Sequence, residues 1–222
     1  KKLKKICKGG MYVGYPIDQN EVISLCMMLV LYFITYFYIL RKTKLSLIKH
    51  LLFFLAIAVR IGFTIADTYF FPLPHSGIDS VLFENDANNL LNGSFSLSTY
   101  NYDNYPKLIY LIYLLIGRKP LVIRTINGCL SLITAYLIYK SILTISEDPR
   151  KASNGMLIFL LFPQSIIFSS IIMRESLIVF FVTLSVWLFI NYFYRKKVLY
   201  LYTGFLSLLI GSLLNSGVIV IL

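Results

Sequence analysis

The sequence predicts an all-α polytopic membrane protein, with about six transmembrane helices and two short juxtamembrane helices in one long loop. Three observations carry this expectation. Of 222 residues, 58% are hydrophobic and only 14% charged, against about 25% charged in an ordinary soluble chain, so too little polar material exists to coat a water-facing surface. Mean hydropathy is +0.75. Apolar runs recur near the ~20 residues that cross a ~30 Å hydrocarbon core, and short basic clusters separate them.

Taken in order, residues 1–21 form an N-terminal segment and 22–222 a single membrane domain. The chain opens on lysine, so it reads either as a fragment or as carrying residues upstream of a natural start; Met11 is the candidate start, and Lys1, Lys2, Lys4, Lys5 and Lys8 would then be foreign. Candidate spans occupy 22–40, 50–71, 121–143, 153–172, 176–194 and 198–222. The last is still apolar at Leu222, which predicts further C-terminal sequence. A seventh apolar run, from Tyr105 to Gly117, reaches only ~20 Å at about 1.5 Å per residue and is too short to cross alone.

That short run decides the topology. Between Pro72 and Pro106 the chain carries Asp79, Glu84, Asp86 and Asp103 and no lysine or arginine, so the positive-inside rule assigns the loop 72–120 to the outside. If the run lies along the outer interface, Arg150-Lys151 and Arg195-Lys196-Lys197 are cytoplasmic and Arg174-Glu175 faces outward. Arg118, Lys119 and Arg124 then stand outside against the rule, an exception that invites a functional role. Within the loop, apolar positions from Asp79 to Leu91 recur at a rough helical period, with Gly93 as a stop. A second helix is opened by Pro106 and closed by Gly117.

Several function classes are excluded. Net charge is +11, but the basic residues punctuate apolar runs and form no phosphate-tracking face, so no nucleic-acid partner is expected. Cys7, Cys26 and Cys129 are scattered and read as structural. His50 and His75 are far apart and no metal motif is present. Asn92-Gly93-Ser94 matches a glycosylation sequon, which matters only in a secretory eukaryotic setting.

The run Asp79-Ser80-Val81-Leu82-Phe83-Glu84-Asn85-Asp86-Ala87, continuing through Leu90-Leu91 to Gly93, resembles the first outer loop of the GT-C glycosyltransferases, in the branch of the protein O-mannosyltransferases and the aminoarabinose transferases. Tyr105-Pro106 with Tyr110 and Gly117 is similar to the next family element. Arg124, Asn127 and Gly128 match a span that begins with arginine and small residues. Leu161-Phe162-Pro163-Gln164-Ser165 through Arg174-Glu175 resembles the family's proline-containing span and the acidic mouth of the next. The resemblance covers roughly 50–197 as an ordered series of weak motifs. An extra span precedes the usual first one, and Ser80 stands where the family often has a second acid.

The resemblance implies transfer of a sugar from a polyprenyl-phosphate carrier to a lipid, glycan or protein acceptor at the outer face, with membrane lipids as surroundings. Such chemistry needs a carboxylate to take the acceptor's proton, and Asp79 is the candidate catalytic base; capping of the following helix is its alternative role. Glu175 is the second catalytic candidate. Glu84 and Asp86 are either a solvated helix face or substrate-binding acids. Arg118, Lys119 and Arg124 are candidates for the donor phosphate, with headgroup anchoring as the alternative; Arg174, with Glu175, is either a hairpin tip that needs no function or a substrate-binding residue for acceptor or sugar. Arg60, costly inside a span, is expected to form a structural ion pair with Asp67 on the same helical face, with Asp67 as a catalytic acid the alternative. Tyr100, Tyr102 and Tyr105 could stack on a sugar, with nothing to single one out. No metal ligand set is visible, and the resemblance leaves a divalent cation open as cofactor. The rival readings are an O-antigen-type polymerase and a transporter or flippase. Richness in Ile, Lys, Asn and Tyr points to a bacterial plasma membrane.

Overall fold

The computed structural model describes residues 19–94 and 103–214. Met11, Tyr100, Tyr102 and the end of the sixth predicted span lie outside the described residues. All regular structure in them is helical: α1 (Gln19–Lys42), α2 (Leu47–Tyr69), a π-helical turn (Ser76–Ser80), α3 (Val81–Leu91), α4 (Asn104–Ile116), α5 (Pro120–Ser146), α6 (Pro149–Leu161), α7 (Pro163–Ser170), α8 (Glu175–Arg195) and α9 (Val198–Leu214). The chain is thus an all-α polytopic membrane protein.

Helices α1, α2, α5 and α8 are each long and apolar enough to cross a bilayer. The predicted span 153–172 is broken instead, with α6 and α7 bent by 58°. Pro163 causes this: its ring clashes with the preceding turn and it has no N–H to continue the ladder, while Phe162 before it is extended (φ −66°, ψ 123°), as a residue preceding proline prefers. Of the six expected spans, four are therefore continuous helices, one is a bent pair, and α9 is described over 17 residues. Prolines also open α5 and α6, where a missing donor costs nothing.

The connections sort charge by end. Glu21 at the start of α1 accepts from the Tyr69 hydroxyl at the end of α2 (2.8 Å). At the opposite end, Lys49 of α2 donates to the Arg150 carbonyl (3.2 Å) and to Ser153 of α6. Following the helices from these ties puts Asp67, Asp79, Glu84, Asp103 and Glu175 at one end, the acidic end. Arg41, Lys42, Lys44, Lys49, Arg150, Lys151 and Arg195 to Lys197 lie at the other.

Helix α4 settles onto the acidic end without crossing. Its first residue, Asn104, donates to the Leu213 carbonyl (2.7 Å), and Tyr105 meets Asn127, in the second turn of α5. At its far end Gly117 (φ 77°) turns the chain into Pro120, the first residue of α5. Both ends of α4 therefore sit within the first ~10 Å of α5, whereas an antiparallel crossing would carry its start some twelve residues down. Its apolar face packs on α3, where Ala87, Tyr105, Ile109 and Tyr113 share a core with Ile123 and Ile172. Asp103 caps α4 by accepting from the Tyr105 N–H (3.0 Å).

A larger core joins α1, α2, α5 and α6 through Met28, Tyr32, Phe53, Leu132, Tyr139 and Met156. Helices in lipid gain no hydrophobic driving force from touching, so close packing holds them. Gly128 is the point of closest approach: a β-carbon there would lie 1.8 Å from the Tyr32 hydroxyl.

Candidate active site

Three arginines of the acidic end are each committed to a carboxylate. Asp67, in the last turn of α2, accepts from Arg124 Nε (3.0 Å) and Nη2 (2.9 Å) through Oδ2, and from the Leu73 N–H (2.9 Å) through Oδ1. Their side chains are 0% and 3% exposed. Glu84, in the first turn of α3, receives a fork from Arg118, Nε to Oε1 at 2.7 Å and Nη2 to Oε2 at 2.9 Å. Arg174, just before α8, bonds Asp103 through Nη1 and lies over the Phe83 ring at 5.8 Å.

The expected Arg60–Asp67 pair does not form. Arg60 is fully buried and donates to Ser169 Oγ (3.1 Å), the Ala56 carbonyl (3.1 Å), the Leu160 carbonyl (2.8 Å), Ser131 Oγ (3.3 Å) and Ser165 Oγ (3.0 Å). Seven residues along one helix amount to ~10 Å, and side chains pair along a helix at three or four. Each group also has nearer partners: Asp67 meets Arg124 across the helix boundary, and Arg60 meets the loose carbonyl at the α6–α7 break. Glu84 likewise is not part of a solvated face, because it is 5% exposed and neutralised by Arg118. Asp86 is half-buried on α3.

Asp79 differs from these acids. It is exposed, in the π-helical turn that follows His75 (φ 70°), and among the described residues its carboxylate has no hydrogen bond or ion pair. It does not cap the turn or α3, neither of which has a side-chain cap. The turn itself is held by Ser80, whose Oγ accepts from the Ile172 N–H (3.2 Å), and by Leu73, buried against Ile171 and Met173. Asp79 and Glu175 are therefore on the same end, on segments tied directly together. Lys119 is half-buried and, among the described residues, its ammonium has no partner.

Glu175 stands where α8 begins. Its Oε1 is 3.9 Å from Arg174 Nε, and its Oε2 is shielded from solvent without a donor. Glu175 is also among the residues around a cavity of about 230 Å³ whose surface is almost wholly apolar, walled by Phe159, Phe162, Phe168 and Val179. His75 meets Phe168 edge to face (5.8 Å), so the loop after α2 contacts the cavity wall. Among the described residues no three His, Cys, Asp or Glu side chains converge as a metal site.

Asn127 links these parts. Its Nδ2 lies within hydrogen-bond distance of the Ile171 carbonyl (2.8 Å), the Met173 carbonyl (3.0 Å) and the Tyr105 hydroxyl (3.1 Å), three acceptors for two N–H groups, so one N–H is shared. Burial pushes the Tyr105 phenol far above the usual phenol range, with the Glu175 charge adding to the rise, so the hydroxyl keeps its proton. Sequence reasoning did not single out Asp103, whose only signal was its position ahead of Pro106, nor separate Tyr105 from its neighbouring tyrosines.

A sequence model of the family described as dolichyl-phosphate-mannose-protein mannosyltransferase matches residues 87–220. No curated protein and no solved structure matches the chain. The matched range includes Asp103, Arg118, Arg124, Arg174 and Glu175; Asp79 and Glu84 lie just ahead of it.

Proposed function

The chain belongs to the dolichyl-phosphate-mannose-protein mannosyltransferase family, a family of membrane glycosyltransferases, and from that premise we propose that it moves a sugar from a polyprenyl-phosphate donor to an acceptor at its acidic end, facing outward. Mannose is the first sugar to assay. Sidedness is supported by the basic clusters at the opposite end, which the positive-inside rule assigns to the cytoplasm. The family match favours transfer over the polymerase and flippase readings.

In this reading Asp79 Oδ takes the proton of the acceptor hydroxyl as the acceptor oxygen bonds to the anomeric carbon. The bond from that carbon to the phosphate oxygen breaks, its electron pair stays on the phosphate, and polyprenyl phosphate leaves. Lys119 meets the charge developing there, because its ammonium is not committed elsewhere. Arg118 and Arg174, about a quarter exposed, lend field at the rim; Arg124, deeply buried on Asp67, holds the scaffold. Glu175 faces hydroxyl groups of the sugar or acceptor, and the aromatic cavity beside it suits an apolar stretch of a lipid-linked substrate.

The observation that carries the assignment is the free, exposed carboxylate of Asp79 at an end where Asp67, Glu84 and Asp103 are each paired with an arginine. Transfer from polyprenyl-phosphate mannose by the full chain in vesicles tests it. Asp79→Asn is expected to lose about 100-fold or more in turnover, the usual contribution of a general base, with membrane expression intact. Full activity in that variant removes Asp79 from the mechanism.

A further inference from the structure

Glu175 Oε2 and Arg174 Nε are buried without hydrogen-bond partners at the start of α8, with Arg174 Nε 3.9 Å from the other carboxylate oxygen, and the Tyr105 phenol lies close to the turn before them. Tyr105 is 1% exposed, and its hydroxyl accepts from Asn127 while its own proton has no acceptor among the described residues. Glu175 Oε2 is shielded from water and has no donor. A buried donor and a buried acceptor left unmade cost more than the bond itself yields. The backbone geometry brings them into one neighbourhood: Asn127 grips the Met173 carbonyl, two residues before Glu175, and the Tyr105 oxygen with the same amide. Arg174 in turn grips Asp103, two residues before Tyr105.

We propose that Tyr105 is a positioning residue for the transfer reaction: its hydroxyl, held by Asn127, donates to Glu175 Oε2 and fixes that carboxylate toward the cavity. The inference rests on the reading that Glu175 contacts substrate. The pair requires the Glu175 side chain to turn from Arg174 toward the phenol. The order is directional, because the Asn127 Nδ2 group can only donate, so the phenol oxygen accepts from it and the phenol proton is left to donate. A phenol raised by burial stays protonated and serves as a permanent donor. Asn127 also satisfies the Ile171 and Met173 carbonyls in the α7–α8 connection, so the relay couples the backbone before Glu175 to the direction of its side chain.

The test uses the full chain in lipid vesicles with ¹³C-carboxyl-labelled glutamate, the Glu175 band being isolated by subtraction of the Glu175→Gln spectrum. Tyr105→Phe is expected to displace the Glu175 carboxylate band, and to lower kcat for polyprenyl-phosphate mannose about tenfold with KM unchanged, as loss of a hydrogen bond to a charged group does. Incorporation of 2,3-difluorotyrosine at position 105, which keeps the shape and strengthens the donor, should displace the band the opposite way. An unmoved band in both proteins overturns the inference. Full transfer by Glu175→Gln would instead refute the role of Glu175, while the infrared comparison still reports whether Tyr105 bonds to it.

Discussion

Arg124 and Asp67 form an ion pair with both side chains almost wholly buried, Nη2 to Oδ2 at 2.9 Å, and it joins the end of α2 to the start of α5. Removing one partner strands the other charge in a low-dielectric setting. Asp67→Asn or Arg124→Leu should each cost about 3–5 kcal/mol, and Asp67→Leu combined with Arg124→Leu should cost less than either single change. Thermal unfolding in detergent checks this, and additive losses in the double variant would contradict a mutual pair. Asp67 Oδ1 also holds the Leu73 N–H, so the single variants should loosen the turn that carries Asp79.

Gly128 and Tyr32 supply the next expectation. A β-carbon at 128 would meet the Tyr32 hydroxyl at 1.8 Å and Cζ at 2.6 Å, and a ring buried between α1 and α5 has little room to move. Gly128→Ala should therefore destabilise by about 1–3 kcal/mol through overpacking. Tyr32→Ala in the same background should recover part of the loss, since it removes the ring; Tyr32→Phe should not, since Cζ remains. The measurement is the melting midpoint of the three variants, and equal stability of Gly128→Ala and the parent would refute the close approach.

Sidedness gives a prediction that needs no activity. Ile78 is 73% exposed in the turn beside Asp79, so with Cys7, Cys26 and Cys129 replaced by serine, Ile78→Cys should react with an impermeant maleimide from outside intact cells. Lys197→Cys, at the basic end, should react only after permeabilisation. Labelling of both from one side would refute the opposed ends. Ser80 would make a poor reporter, being 2% exposed and bonded to Ile172.

What the sequence made legible was set by periodicity and by the rarity of charge in an apolar chain. The α3 and α4 helices follow from apolar spacing, Pro106 and Gly117, and the shortness of the α4 run kept it from being counted as a crossing. Partner choice was not legible. Arg60 and Asp67 share a helical face, yet Asp67 found Arg124, 57 residues away, and Glu84 found Arg118, 34 residues away. Such pairs depend on how α2, α3 and α5 converge, which no local pattern encodes. The bend at Pro163 was foreseeable from proline's missing donor, but not its 58° nor that Arg60 would bond to both sides of the break, at Leu160 and Ser165.

Arg60 carries the last prediction. Its five N–H groups have five acceptors, two of them carbonyls and three serine hydroxyls, and no carboxylate is among them. The Leu160 carbonyl belongs to the last turn of α6, the negative end of that helix, so its dipole supplies part of the counter-charge. Arg60→Met removes the cost of a buried charge but leaves that carbonyl without a donor, since Pro163 breaks the ladder there. The expected net loss is about 1–3 kcal/mol, the desolvation cost of one orphaned acceptor, concentrated at the break. Hydrogen exchange should accelerate across 160–166 while the α8 amides stay protected. Arg60→Lys should recover the Leu160 contact but not all three serines, because an ammonium has three donors and no planar fork, and should fall between parent and Arg60→Met. Uniform acceleration across all helices would instead mark Arg60 as a general packing residue without a specific hold on the bend.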